Sequence, residues 1–322
     1  MPAFGLNAPH LHLVLNHVPT IGAFVALGLL LMALIRRNEA VQQIGLEVLF
    51  IVAVVTLPVF VTGAAARPAL KEGPAFSEFA LRSHLDAAIY GFTVIELAGF
   101  AAWVALFQSS RRGRAARSIV TAATALLVVG LVIMGRAATL GGEIRHPEIV
   151  MTASTEPGEG AADATLDPNQ FLATWISEYL VNSPWAWPAA ETIHFLGLSL
   201  SIGILLAVNL RILGVMRQVP FADVHRLLPW GMLGFGANLI TGMLFFVALP
   251  AQYISNEPFH WKIVFLVIAG ANFLYLTVFR KAWAADSYDP NLAEKAMAVA
   301  SIFSWLAVLY AGRMLPYLGN AF

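Results

Sequence analysis

Eight histidines stand out in a 322-residue chain that is 59% hydrophobic and only 12% charged. Four of them recur at matched intervals. His17 and His84 are 67 residues apart, and His194 and His260 are 66 apart. His17 and His194 lie inside long apolar runs, where an imidazole is costly unless it has a task. His84 opens one such run in Arg82-Ser-His84-Leu-Asp86, and His260 opens another in Phe259-His260-Trp261-Lys262. Two imidazoles on facing helices can ligate one haem iron from both sides. The expectation is therefore two bis-histidine haem b groups, one held by His17 with His84 and one by His194 with His260. Arg82 and Lys262 stand where propionates would emerge, since a cation pairs with a carboxylate. The competing reading for a histidine near a helix end is an interfacial side chain bonded to water. A lysine or arginine there can equally snorkel to lipid headgroups.

Other polar residues suggest other chemistry. Glu96 and Arg136 lie at membrane depth and are expected to pair or to line a polar path. Glu191 and His194 form a single E-x-x-H; a di-iron bundle needs that motif twice. His10, His12 and His146 offer an exposed copper or zinc site, or are simply solvated. The chain has no cysteine, which excludes disulfides, cysteine-ligated clusters and covalently attached c-type haem. Phosphate-loop, Rossmann and G-x-S-x-G signatures are absent, and no basic face suits nucleic acid.

The elements that must position these residues are membrane helices. A soluble domain carries roughly 25% charged residues, about twice the share found here. A bilayer core needs roughly 20 apolar residues per helix. Eight runs meet that length: about 13–35, 45–64, 83–108, 118–140, 187–210, 227–249, 261–279 and 295–315. The expected fold is an all-α integral membrane protein of about eight transmembrane helices in two four-helix bundles. Residues 1–140 form the first bundle, 141–186 an external acidic loop with a surface helix, and 187–322 the second bundle. The first run does not read as a cleavable signal peptide, because residues 1–12 lack Lys and Arg and the run is too long.

Alternate loops carry 12 Lys and Arg on one side against six on the other. The richer side is expected in the cytoplasm, which puts both termini outside, in the periplasm of a bacterial inner membrane. All four paired histidines then lie in the outer half. The 141–186 loop has seven acidic residues against Arg145 alone. It would steer a basic periplasmic cytochrome, or it merely reflects the scarcity of Lys and Arg outside. Phe171, Trp175 and Tyr179 form an aromatic stripe expected to lie flat at the membrane surface.

His12-Leu-Val-Leu-Asn16-His17-Val-Pro19 and Gly141-Gly142-Glu143-Ile144-Arg145-His146 resemble a widespread group of four-helix bacterial membrane proteins of uncharacterised activity. His194-Phe-Leu-Gly197, Asn209-Leu-Arg211-Ile-Leu-Gly214, Leu228-Pro229-Trp230 and Lys262 near Ala271-Asn272 resemble a second such family. Together the two cover most of the chain but imply no activity. The histidine-bearing bundles more loosely resemble membrane b-type cytochromes. That analogy implies a haem electron-transfer subunit linking a periplasmic redox partner to quinone or to a larger redox complex. The alternatives are a haem-free transporter or channel lined by Glu96, Arg136, Glu191 and His194, and a purely structural membrane subunit.

Overall fold

The computed structural model describes residues 7–71, 78–145, 171–279 and 290–318. The described residues are helical, with no strand among them. They run α1 (Ala8–Leu15), α2 (His17–Arg36), α3 (Glu39–Lys71), α4 (Glu78–Arg112), α5 (Arg117–Arg145), α6 (Leu172–Asn182), α7 (Ala186–Ile212), α8 (Phe221–His225), α9 (Leu228–Ala248), α10 (Pro250–Ile254), α11 (Glu257–Leu274) and α12 (Leu292–Leu318). A short π-helical turn, Tyr275–Phe279, extends α11.

Among the described residues eight stretches are long and apolar enough to cross a membrane: Ala8–Arg36, Glu39–Leu70, Glu78–Arg112, Arg117–Ile144, Ala186–Ile212, Phe221–Ala248, Glu257–Val278 and Leu292–Leu315. Their outward faces carry large apolar side chains in the open, including Phe24 at 63%, Val132 at 72% and Leu196 at 66% exposure. Exposed apolar surface on this scale, on helices of this length, fits a lipid environment. The chain is an all-α multi-pass membrane protein.

The helix ends follow local chemistry. The Asn7 side chain accepts from the His10 amide to open α1, and Asn38 accepts from the Ala40 and Val41 amides to open α3. Such side chains satisfy amides that have no intrahelical partner. Arg37 ends α2 in a left-handed conformation (φ 52°), with its amide bonded to the Ala33 carbonyl. Gly113, at φ +77°, follows α4 where only glycine sits without strain. The side chains of Asn291 and Glu294 each accept the other's backbone amide, a reciprocal cap on α12.

Two compact units divide the chain, with the boundary falling inside α6 after Glu178. The first holds four spans, α1–α2, α3, α4 and α5; Ser110–Gly113 belongs to the second. Small residues set its packing. Gly99 of α4 lies directly against Ala53 of α3, and Gly91 against Met134 of α5. The second unit also holds four spans, α7, α8–α9, α11 and α12. There Gly197 and Gly234 pack backbone to backbone: a Cβ on either would meet the other's carbonyl oxygen at 2.7 Å. Close approach through small residues is the usual basis of helix association in membranes. Buried amides add to it. Asn209 donates to Ser301 Oγ at 3.1 Å, Asn256 to the Leu315 carbonyl at 3.0 Å, and Asn272 to the Met297 carbonyl at 3.3 Å.

Candidate functional site

Helix α1 starts at Ala8, so His12 is a helical residue rather than part of a loose tail. Its ring turns toward α3, where Nδ1 lies 2.9 Å from the Val59 carbonyl oxygen. The ring also rests on Gly63: a Cβ there would come within 2.8 Å of His12 Cε1. His84, on the second turn of α4, repeats this arrangement. Its Nδ1 lies 2.8 Å from the Ala137 carbonyl oxygen of α5, and a Cβ on Gly141 would come within 3.1 Å of its Cε1.

In both cases the glycine is four residues beyond the accepting carbonyl. A helical carbonyl already bonds the amide four residues on. It can take a second donor from the side where that fourth residue has no side chain in the way. A carbonyl only accepts, so each Nδ1 must carry its proton and donate. In its neutral form each ring then keeps its Nε2 lone pair, as a histidine ligand requires. His12 and Arg67 both stand near enough to His84 for their charges to act on it. Val59 lies in the latter half of its span (Glu39–Leu70), Arg67 three residues before its end, and His84 six residues past the start of the next, so these groups lie toward one end of the first unit.

The same end carries a supporting shell. Arg82 Nε donates to Glu78 Oε1 at 2.9 Å, and its guanidinium lies over the Phe171 ring at 5.7 Å. The charge of Glu78 also reaches Arg67. Phe79 meets Phe171 edge-on at 6.2 Å. Asp86, two residues beyond His84, accepts from the amides of Leu172 and Ala173 at 2.9 and 3.2 Å. A carboxylate there neutralises two free amides and the positive end of the α6 dipole. The aromatic stripe on this helix is split. Phe171 is buried, while Trp175 and Tyr179 are exposed and Ile176 and Leu180 turn inward.

The sequence-derived pairs are placed differently. His17 sits at the break between α1 and α2, on an exposed face, with Nδ1 bonded to the Leu13 carbonyl of its own chain segment at 2.9 Å. His12, by contrast, turns to a neighbouring helix and lies within electrostatic reach of His84. His260 is exposed, and among the described residues its one ring contact is with its neighbour Phe259. His194 is half-buried and bonds elsewhere: Nδ1 lies 2.8 Å from Thr241 Oγ1. Lys262, also partly buried, lies within electrostatic reach of His194. Asn238, which dilutes the apolar run of α9, donates to the His194 backbone carbonyl at 3.0 Å.

Glu96 and Arg136 are not brought together. Arg136 is exposed, and Glu96 Oε1 is buried with no partner among the described residues. Glu191 is exposed while His194 turns inward, so the E-x-x-H pair is divided. His10 is exposed, and His146 lies outside the described residues together with most of the acidic loop. Among the described residues no three histidines or carboxylates gather as a metal cage. Two axial imidazoles, by contrast, need no third protein ligand, because a porphyrin supplies the other four. Tyr253, in the short helix α10, has its phenol pushed up to about 12 by burial and by the charge of Glu191.

No protein-family model matches the chain, no curated protein matches it, and no solved structure matches it.

Proposed function

We propose that the chain is a b-type haem electron-transfer subunit, with one haem held between His12 and His84. The observation that carries this reading is the matched seating of the two rings. Each has its Nδ1 proton committed to a backbone carbonyl of a neighbouring helix, each rests on a glycine, and neither Nε2 has a hydrogen bond among the described residues. Second-shell bonds of this kind fix the tautomer and orientation of an iron ligand. Arg67 and Arg82 at the same end are the cations suited to propionates, and Arg82 is already oriented by Glu78 and Phe171. When bound, the haem supplies a one-electron couple; the protein's part is to hold the axial imidazoles and to exclude water around them.

The excess of Lys and Arg in alternate loops supports reading this end as the outer face of a bacterial inner membrane, with both termini periplasmic. A haem there serves exchange between a periplasmic redox partner, such as a small cytochrome, and quinone or a larger redox complex. A second haem between His194 and His260 is not carried forward, because His260 lies on an exposed face. The haem-free transporter reading draws on one observation, the buried and unpartnered oxygen of Glu96. The two separate on haem content. Protein expressed with ample haem supply and purified in mild detergent should carry one b-type haem per chain, reducible by a quinol. Fully folded protein that stays colourless would favour the transporter.

A further inference from the structure

Helices α7, α11 and α12 of the second unit meet around a set of buried polar side chains. Asn209 of α7 and Ser301 of α12 are each 1% exposed, and Asn272 of α11 is 9% exposed. Each carboxamide spends one N–H on α12. Asn209 Nδ2 donates to Ser301 Oγ at 3.1 Å, and Asn272 Nδ2 donates to the Met297 carbonyl at 3.3 Å. Met297 and Ser301 are one helical turn apart, joined by the bond that a helix makes between residues four apart. Two carboxamides from two helices thus arrive at neighbouring atoms of a third. Trp305 stands one turn further along the same face of α12. A long helical side chain leans back toward the N-terminus, which carries this indole toward Ser301. The Phe235 ring of α9 ties the level together, 6.2 Å from Trp305 and 6.0 Å from Phe273, the neighbour of Asn272.

Three polar atoms here are buried without a hydrogen bond among the described residues: Asn209 Oδ1, Asn272 Oδ1 and Trp305 Nε1. Asn209 lies three residues before the end of its span, Asn272 six before the end of its own, and Ser301 nine past the start of the last. At a rise of about 1.5 Å per residue these are depths of roughly 5 to 14 Å, where polar atoms must be met from inside the protein. Two acceptors and one donor call for a partner that donates twice and accepts once. A cation suits the oxygens but not the indole N–H, and the lining brings no counter-charge. Glu294, earlier on α12, accepts the Asn291 amide at its own helix cap. Arg211, two residues past Asn209, bonds the Val219 carbonyl and lies over the Phe221 ring. An anion suits the N–H but not the oxygens. A water molecule meets all three, and three bonds is the usual complement of an internal water. Turning either carboxamide over would exchange an unmet oxygen for an unmet N–H, which water serves equally.

We infer that Asn209, Asn272 and Trp305 hold ordered water inside the second unit, a hydration site that links α7, α11 and α12 within the membrane. The site does not depend on the haem reading. The test is radiolytic hydroxyl labelling of the full chain in lipid nanodiscs, read by mass spectrometry. Radicals born from an internal water oxidise side chains that bulk water does not reach. Trp305 and Trp103 are both 4% exposed, so bulk solvent reaches them alike, but Trp103 lies among Phe50 and Phe100. Trp305 should be oxidised severalfold faster than Trp103, a comparison that needs no variant to fold. Asn209→Leu combined with Asn272→Leu replaces both carboxamides by apolar groups of similar size, a change that leaves neither partner of a broken pair behind. It should bring Trp305 down to the rate of Trp103. Equal oxidation of the two tryptophans in the wild type would overturn the site, as would rapid Trp305 oxidation that persists in the folded double variant. Thermal unfolding in sodium chloride against choline chloride tests the identity of the ligand. Equal midpoints are expected, and a saturable rise with sodium would put a cation in place of the water and overturn the inference.

Discussion

Substituting the two glycines under the histidine rings probes the site without touching either histidine. A Cβ on Gly63 would lie 2.8 Å from His12 Cε1, whereas ordinary contacts begin near 3.4 Å. The ring, lying against helix backbone, must retreat by about 0.6 Å, which stretches the 2.9 Å bond to Val59 beyond useful length. Overpacking of this size costs about 1–3 kcal/mol, and the lost bond about 0.5–1.5 kcal/mol. Better helix propensity returns up to about 1 kcal/mol. The net is a destabilisation of about 1–3 kcal/mol, concentrated on the ring that orients a ligand. Gly141→Ala should act in the same direction but less, because its Cβ would meet His84 at 3.1 Å. The adjacent Gly142 has nothing within 4 Å of its Cβ position, so Gly142→Ala is the control. The assay is thermal unfolding in detergent together with haem retained per chain. The expected order of loss is Gly63→Ala, then Gly141→Ala, with Gly142→Ala near wild type. If Gly141→Ala and Gly142→Ala behave alike, the rings are not seated as described.

Asp86→Ala should free the two amides at the start of α6, costing about 1 kcal/mol, and hydrogen exchange in residues 171–182 should quicken while the four spans of the first unit stay protected. In spectrophotometric titration Tyr253 should ionise near pH 12, and Tyr253→Phe should remove that step. Because its folded value is raised from 10.0, its contribution to stability is complete below pH 10 and drains away as pH rises toward 12. A reporter inserted in the 109–117 loop should read cytoplasmic, and one near residue 160 external; swapped signals would move the histidine end to the cytoplasmic side.

Helix number was legible in the sequence because bilayer thickness sets a length that composition alone can meet. His84 and His194 were legible for a related reason: a lone imidazole in or at the edge of an apolar run needs a partner. His12 was not, since in sequence it looks like half of an exposed H-x-H near the chain start. What decides is the cap at Asn7, which draws residues 8–15 into a helix. Five residues along a helix turn a side chain through about 140°, so His12 and His17 cannot serve the same face. The equal spacings of the two sequence-derived pairs do not enter the proposed pairing, since His12 and His84 are 72 residues apart. Asp86 and its tie to α6 were beyond sequence reasoning, because the partner amides lie 86 and 87 positions away. The glycines read only as small packing residues until the rings above them were placed.

The central claim is that His12 and His84 are the axial pair, and the most direct measurement is the electron paramagnetic resonance and visible spectrum of the oxidised protein across three histidine variants. The wild type should show one low-spin bis-imidazole haem per chain. His12→Ala and His84→Ala should each abolish that signal, leaving high-spin haem or none, while His17→Ala should leave it unchanged. A low-spin signal that survives both His12→Ala and His84→Ala, or that disappears with His17→Ala alone, would contradict the account.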